Sequence, residues 1–241
     1  MPMHKFANPT QFMRIANAIL PWSTGIAIVC FAIGLPAALI FSPPDYQQGD
    51  TVRILYVHVP AAWMALVVYS IMAGASAAFL IWRHTMAHLV ARASAPLGAM
   101  FAAVCLITGM LWGEPMWGTY WVWDARLTSM LVLFFLYVGY IALIDSFDEA
   151  ERGDRAAAIL ALVGSVNVPI IHFSVEWWST LHQPSIITMD GLTLSPEMVR
   201  PLLLMVGGFT AFYVSVVVVR LRSELLAAKI RNARQSLAAA G

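Results

Sequence analysis

The sequence predicts an all-α, polytopic integral membrane protein with six transmembrane helices and both termini in the cytoplasm. Three observations carry that reading. The composition is 60% hydrophobic and only 11% charged, too apolar for an ordinary soluble domain. Six apolar segments follow one another, at about 22–41, 59–82, 93–112, 128–146, 156–173 and 201–219. Each is long enough to cross a hydrocarbon core at the helical rise, and only a helix can satisfy its own backbone there. The basic residues then alternate by side. Of the 14 Lys and Arg residues, 11 fall before the first segment, in the second and fourth connections or in the tail, leaving Arg53, Arg126 and Arg200 on the other face. The positive-inside rule places the richer side in the cytoplasm.

The elements follow in order. The N-terminus, with His4, Lys5 and Arg14 ahead of an apolar run, imitates a signal peptide. The run to Phe41 is too long for such a signal's apolar region, so it is expected to stay as an anchor. Cys30 and Cys105 sit inside apolar runs with no C-x-x-C or C-x-x-C-H spacing and read as packing residues. His84 and His88 lie among basic residues on the inner side and are expected to be solvated or near headgroups. Asp145, late in the fourth segment, should snorkel to inner water. The fifth segment contains Asn167 and Pro169, and His172 is expected to bond backbone groups freed by the proline. The tail at 220–241 mixes Arg220, Arg222, Lys229, Arg231 and Arg234 with Leu225, Leu226 and Ile230, a basic amphipathic helix for the inner leaflet or a partner. The whole chain, 1–241, reads as a single six-helix membrane domain. The net charge of +1 gives no footing for nucleic acid.

One outer stretch stands apart, Trp112 to Arg126, reading W-G-E-P-M-W-G-T-Y-W-V-W-D-A-R. It holds four of the nine tryptophans and is too polar and too broken by Gly113, Pro115 and Gly118 to span. An aromatic belt at both interfaces is the bland explanation. A belt is roughly symmetric, whereas here only Trp22 and Trp82 fall on the inner side. The asymmetry favours a binding surface for a large, flat, apolar ligand. Were the stretch helical, Trp117, Trp121 and Asp124 would share one face, with rings to stack on a planar ligand. Two outer histidines, His58 in V-H-V-P and His182 in W-W-S-T-L-H-Q-P, flank it. From the residues alone, axial ligation of a haem iron and interfacial hydrogen bonding both account for them. Arg53 and Arg126 suit propionates, and equally suit water or Asp124. No nucleotide-binding loop, H-E-x-x-H or nucleophile elbow is present, so any energy source lies in another subunit.

Trp117-Gly118-Thr119-Tyr120-Trp121-Val122-Trp123-Asp124 resembles the W-G-x-x-W-x-W-D motif of the haem-handling membrane proteins of cytochrome c maturation. The blocks at Ser42–Asp50, Tyr56–Trp63 and Trp177–Gln183, with the six-span layout, resemble the haem exporter protein C family in particular. Tyr120 stands where many members have tryptophan, Ser179 where asparagine is frequent, and Pro184 where glycine is frequent. The resemblance implies that the loop at 112–127 binds non-covalent haem b through Trp117, Gly118, Tyr120, Trp121, Trp123 and Asp124. It implies His58 and His182 as ligands to the haem iron. It also implies an ATP-binding subunit, a second membrane subunit, a small single-span subunit and a periplasmic haem chaperone as partners, in the bacterial inner membrane.

The expectation is therefore a scaffold, not an enzyme, that presents haem at the periplasmic face for covalent transfer to the chaperone. Asp124 is expected to orient the loop through Arg126. A transporter carrying haem or another solute through its helices is the rival; it needs polar, broken helices at the midplane, of which only Asn167 and Pro169 give a sign. A purely structural subunit leaves the outer histidine pair unexplained.

Overall fold

The computed structural model describes residues 9–240 except 179, 184–186, 189–190 and 193. Ser179 and Pro184, two of the departures noted above, lie outside the described residues, as does His4. The apolar runs become long helices: α1 (Pro9–Pro36), α2 (Leu55–Trp82), α3 (Thr85–Trp117), α4 (Ala125–Ile144), α5 (Ala150–Gly164), α6 (Asn167–Trp177) and α7 (Pro196–Ala240). A π-helical turn, Ala37–Phe41, prolongs α1, and a 3-10 turn, Asp50–Ile54, leads into α2. Two short strands, β1 (Ile187–Thr188) and β2 (Gly191–Leu192), pair antiparallel before α7. Among the described residues, six helical stretches are long and apolar enough to cross a membrane. This is a polytopic all-α membrane protein.

The fifth stretch is not one rod. α5 and α6 are separate helices, interrupted at Ser165–Val166, three to four residues ahead of Pro169. The Asn167 side chain donates to the Ser129 carbonyl of α4 at 2.8 Å, so the break is satisfied within the bundle. His172 has no part in it: the residue is exposed, with its ring edge-on to Phe173.

Helix α2 packs along α3, α1 along α7, and α4 against α3, α5 and α6. Small residues make this close. Ala61, Ala65, Ala91, Ala95, Ala102, Ala157 and Ala161 are buried at the contacts, as suits helices that associate by backbone approach in lipid. Tyr137 fills the centre, edge-on to Tyr69 at 5.0 Å, and donates to the Ala65 carbonyl at 2.7 Å. A Cβ on Gly98 would lie 2.1 Å from the Tyr137 ring, so only glycine fits there.

Helix ends set the connections between the spans. α3 stops where Gly118 adopts φ 73, a left-handed turn that returns its N–H to the Glu114 carbonyl at 2.9 Å. α4 starts at an Asp124 cap, whose carboxylate accepts the Leu127 N–H at 2.8 Å. The segment between, 118–124, is non-helical. The condition for Trp117, Trp121 and Asp124 to share a helix face is therefore not met. His84 caps α3 by accepting the Ala87 N–H at 3.1 Å. His88, expected to be solvated or near headgroups, is instead buried with its ring on Phe79 and Nε2 3.2 Å from an Asp154 oxygen. Asp145 is exposed at the end of α4, 3.6 Å from Arg92. The tail continues α7 as one helix, with Leu221 and Leu225 buried and Leu226 and Ile230 exposed.

Candidate functional site

The start of α2, the end of α3, the start of α4 and the segment after α6 meet at one end of the bundle. His58 is in the first turn of α2, and His182 follows α6. Although 124 positions apart in sequence, their ring centroids lie 6.2 Å apart, with the planes tilted by 31°. Two imidazoles on one metal, with bonds of roughly 2 Å and ring centres about 1.2 Å behind each nitrogen, bring the centroids to about 6 Å. The spacing is that of a shared ligand pair.

Each ring has one nitrogen occupied. His58 Nδ1 lies 3.1 Å from the Thr108 hydroxyl on α3. His182 Nδ1 lies 2.9 Å from the Gln183 carbonyl, which can only accept, so that nitrogen carries the proton. Among the described residues neither Nε2 has a hydrogen-bond partner. Burial, and after it the Arg126 charge, push His182 down to about 4, against the pull of the Gln183 carbonyl. Its imidazole is neutral at neutral pH, the form that ligates metal.

Arg126, in the first turn of α4, bears electrostatically on both histidines. Its guanidinium has no carboxylate within ion-pairing distance among the described residues; Asp124 acts on it only at longer range. Asp124 orients this turn through the backbone cap, not through Arg126 as expected, and its second oxygen is buried without a hydrogen-bond partner. Arg53 is more committed: it donates to the Leu39 and Ser42 carbonyls and pairs with Asp50 at 3.1 Å. Its Nε remains buried without a partner.

The aromatic residues divide into two pairs. Trp112 and Trp117, one turn and a residue apart at the end of α3, meet edge-on at 5.1 Å. Trp121 and Trp123 meet edge-on at 5.4 Å in the segment that follows. Trp121 keeps its indole N–H buried and unpartnered, whereas Trp123 and Tyr120 are exposed. Gly118 contributes the turn.

Two further residues shape the site. Trp112 lies with its ring 6.2 Å from His182, and its indole N–H donates to the Gln48 side chain at 2.8 Å. Gln48 is held by a tight turn in which Asp45 accepts the Gln47 and Gln48 N–H groups, each at 2.9 Å. The loop before α2 thus buttresses the ring behind His182. The tryptophan was visible as part of the aromatic stretch, but its glutamine partner, 64 positions earlier, left no local signal.

Comparison with known proteins agrees over nearly the whole chain. The family described as Heme exporter protein C matches residues 2–236. The chain is 47% identical to Heme exporter protein C of Bradyrhizobium diazoefficiens, over 96% of this chain and 88% of that one. It is 46% identical to the Escherichia coli K12 protein of the same name, over 93% and 91%. It is 36% identical to the Rhodobacter capsulatus protein of that name, over 98% of each chain. The histidine pair and the aromatic end of the bundle are therefore features of a chain that belongs to the Heme exporter protein C family.

Proposed function

We propose that this chain handles haem in the biogenesis of c-type cytochromes, as a scaffold rather than an enzyme. It holds non-covalent haem b at the periplasmic face of the bacterial inner membrane, with both termini in the cytoplasm. The observation that carries the reading is the His58–His182 pair, whose spacing suits two axial ligands on one iron and whose Nε2 atoms are unengaged. Among the described residues, no three His, Cys, Asp or Glu side chains stand together as a metal site. A bare ion would be under-ligated by two imidazoles; an iron already held by a macrocycle needs only those two.

The rest of the site supports the same cargo. The rings of Trp112, Trp117 and Trp121 supply apolar contact. Arg126, without an ion-pair partner, and the free Arg53 Nε offer donors for propionates. The stretch at 112–127 is read as the haem-binding region. Haem supplies an electrophilic iron and reactive vinyl groups; the chain supplies orientation. Exposed Tyr120, Trp123, Trp177 and Trp178 leave an aromatic rim for a second protein. The proposed recipient is a periplasmic haem chaperone. Holding both reactants in one orientation can lower a barrier without an acid or base on this chain. An ATP-binding subunit, a second membrane subunit and a small single-span subunit complete an ABC-type complex, with the basic tail at 220–241 on their side. The conduit reading loses its main support, because the Asn167 amide is spent on the Ser129 carbonyl.

Two measurements test the proposal. The purified chain should retain haem and bring the chaperone with it only when haem is present. A cysteine at Thr119 should react with an impermeant reagent from the periplasmic side, and one at Ala239 only after lysis. Labelling in the opposite sense would reject the orientation; chaperone binding equally strong without haem would reject the shared-haem interface.

A further inference from the structure

Thr108 lies in the membrane-spanning part of α3, outside the aromatic stretch. Its hydroxyl has one proton and two acceptor lone pairs. The proton goes to the Val104 carbonyl one turn back, at 2.6 Å, with the Cys105 carbonyl at 3.2 Å. Only lone pairs remain for His58 Nδ1, at 3.1 Å, so Nδ1 must be the donor of that bond. A proton on Nδ1 leaves the lone pair on Nε2, the nitrogen that the bond to Thr108 does not use. The next residue shapes the same seat: a Cβ on Gly109 would lie 3.1 Å from His58 Cε1.

We propose that Thr108 is a positioning residue for His58. With Gly109 giving the ring room, its hydroxyl fixes both the imidazole orientation and the tautomer that keeps the lone pair on Nε2. This rests on the reading of His58 and His182 as haem ligands. It adds that half of the site is organised from within the bundle, by a residue that need not touch haem. Loss of the partner that orients a ligating histidine typically weakens metal binding by about 10- to 100-fold.

The test uses the full chain in detergent, titrated with ferric haem and followed by its visible and EPR spectra. Thr108→Val keeps the branched shape and removes the acceptor. It should bind ferric haem about 10- to 100-fold more weakly, and part of the low-spin signal should become high-spin. Thr108→Ser should restore affinity and spectrum, which a purely steric role would not require. Gly109→Ala, with the hydroxyl intact, should shift the spectrum in the same direction by crowding the ring, and it serves if the valine variant does not fold. Wild-type affinity and spectrum in Thr108→Val, or in Gly109→Ala where valine is not tolerated, overturns the proposal if His58→Ala loses the low-spin signal. If His58→Ala itself binds haem as the wild type does, the ligand assignment fails first and the proposal falls with it.

Discussion

The two ends of the bundle use the same residue types in opposite ways. At one end, His88 is buried against Phe79 and bonded to Asp154, Arg92 lies between Asp145 and Glu224, and Arg83 pairs with Glu151 at 2.7 Å. One Asp154 oxygen apart, the polar groups of that cluster have partners. At the other end, two histidines lie together with Nε2 unengaged, Arg126 lacks an acid, and buried polar atoms of Arg53, Trp121 and Asp124 have no hydrogen bond. Leaving a buried polar atom unpaired costs on the order of 1–3 kcal/mol. Tyr69 and Ser76 also keep unpartnered hydroxyls inside the bundle, so the contrast between the ends rests on the charged and ligating groups: the first end pairs its arginines and His88 with acids, and the second leaves Arg126 and two imidazole nitrogens unpaired. The same residue type is structural or functional according to what its neighbours have already consumed.

The largest effect that sharpens this contrast should come from the histidines themselves. His58→Ala and His182→Ala should each weaken ferric haem binding by more than the ~100-fold that bounds the loss of an orienting partner, while thermal stability barely moves. His88→Ala should do the reverse. It removes the partner of a largely buried Asp154 oxygen, costing on the order of 1–3 kcal/mol of stability, and leaves haem affinity unchanged; a thermal melt and a haem titration on the same sample separate the two. Next in size is Arg126→Gln, which removes a charge with no ion pair to break. It should weaken haem binding roughly tenfold, about 1.4 kcal/mol, with no loss of stability. A melt that falls instead would make Arg126 a structural cation like Arg92. The smallest change is Gln48→Ala, which frees the Trp112 indole N–H and should cost about 1 kcal/mol, seen as a modest rise in haem dissociation rate. Haem release at the wild-type rate would detach the loop before α2 from the site.

Much of this molecule was legible in its sequence. The apolar runs gave the spanning helices because a lipid-facing helix has to be apolar along its length. The six-span architecture and the family followed from those runs together with the W-G-x-x-W-x-W-D motif. The site was legible as residue types but not as geometry. The i, i+4, i+7 spacing of Trp117, Trp121 and Asp124 puts them on one face only if the stretch is helical, and Gly118 ends α3 in a left-handed turn between them. The Asp124 cap was readable, since an aspartate ahead of an apolar run is a helix start signal. His88 was misplaced because its local neighbours are basic; its partner Asp154 is 66 positions away on another helix. Gln48 and Thr108 were silent for the same reason, as each acts on a residue at least 50 positions away. Pattern reports which face of an element is buried, and only packing reports which polar atom is left free.

The central claim is that His58 and His182 together hold the iron of a bound haem. Low-temperature EPR of the ferric, haem-loaded protein tests it most directly, with the wild type, His58→Ala, His182→Ala and His88→Ala measured side by side. Ligation by both histidines requires a six-coordinate low-spin signal in the wild type and in His88→Ala, and its conversion to high-spin, or loss with the haem, in both His58→Ala and His182→Ala. A low-spin signal that survives in either His58→Ala or His182→Ala would contradict it.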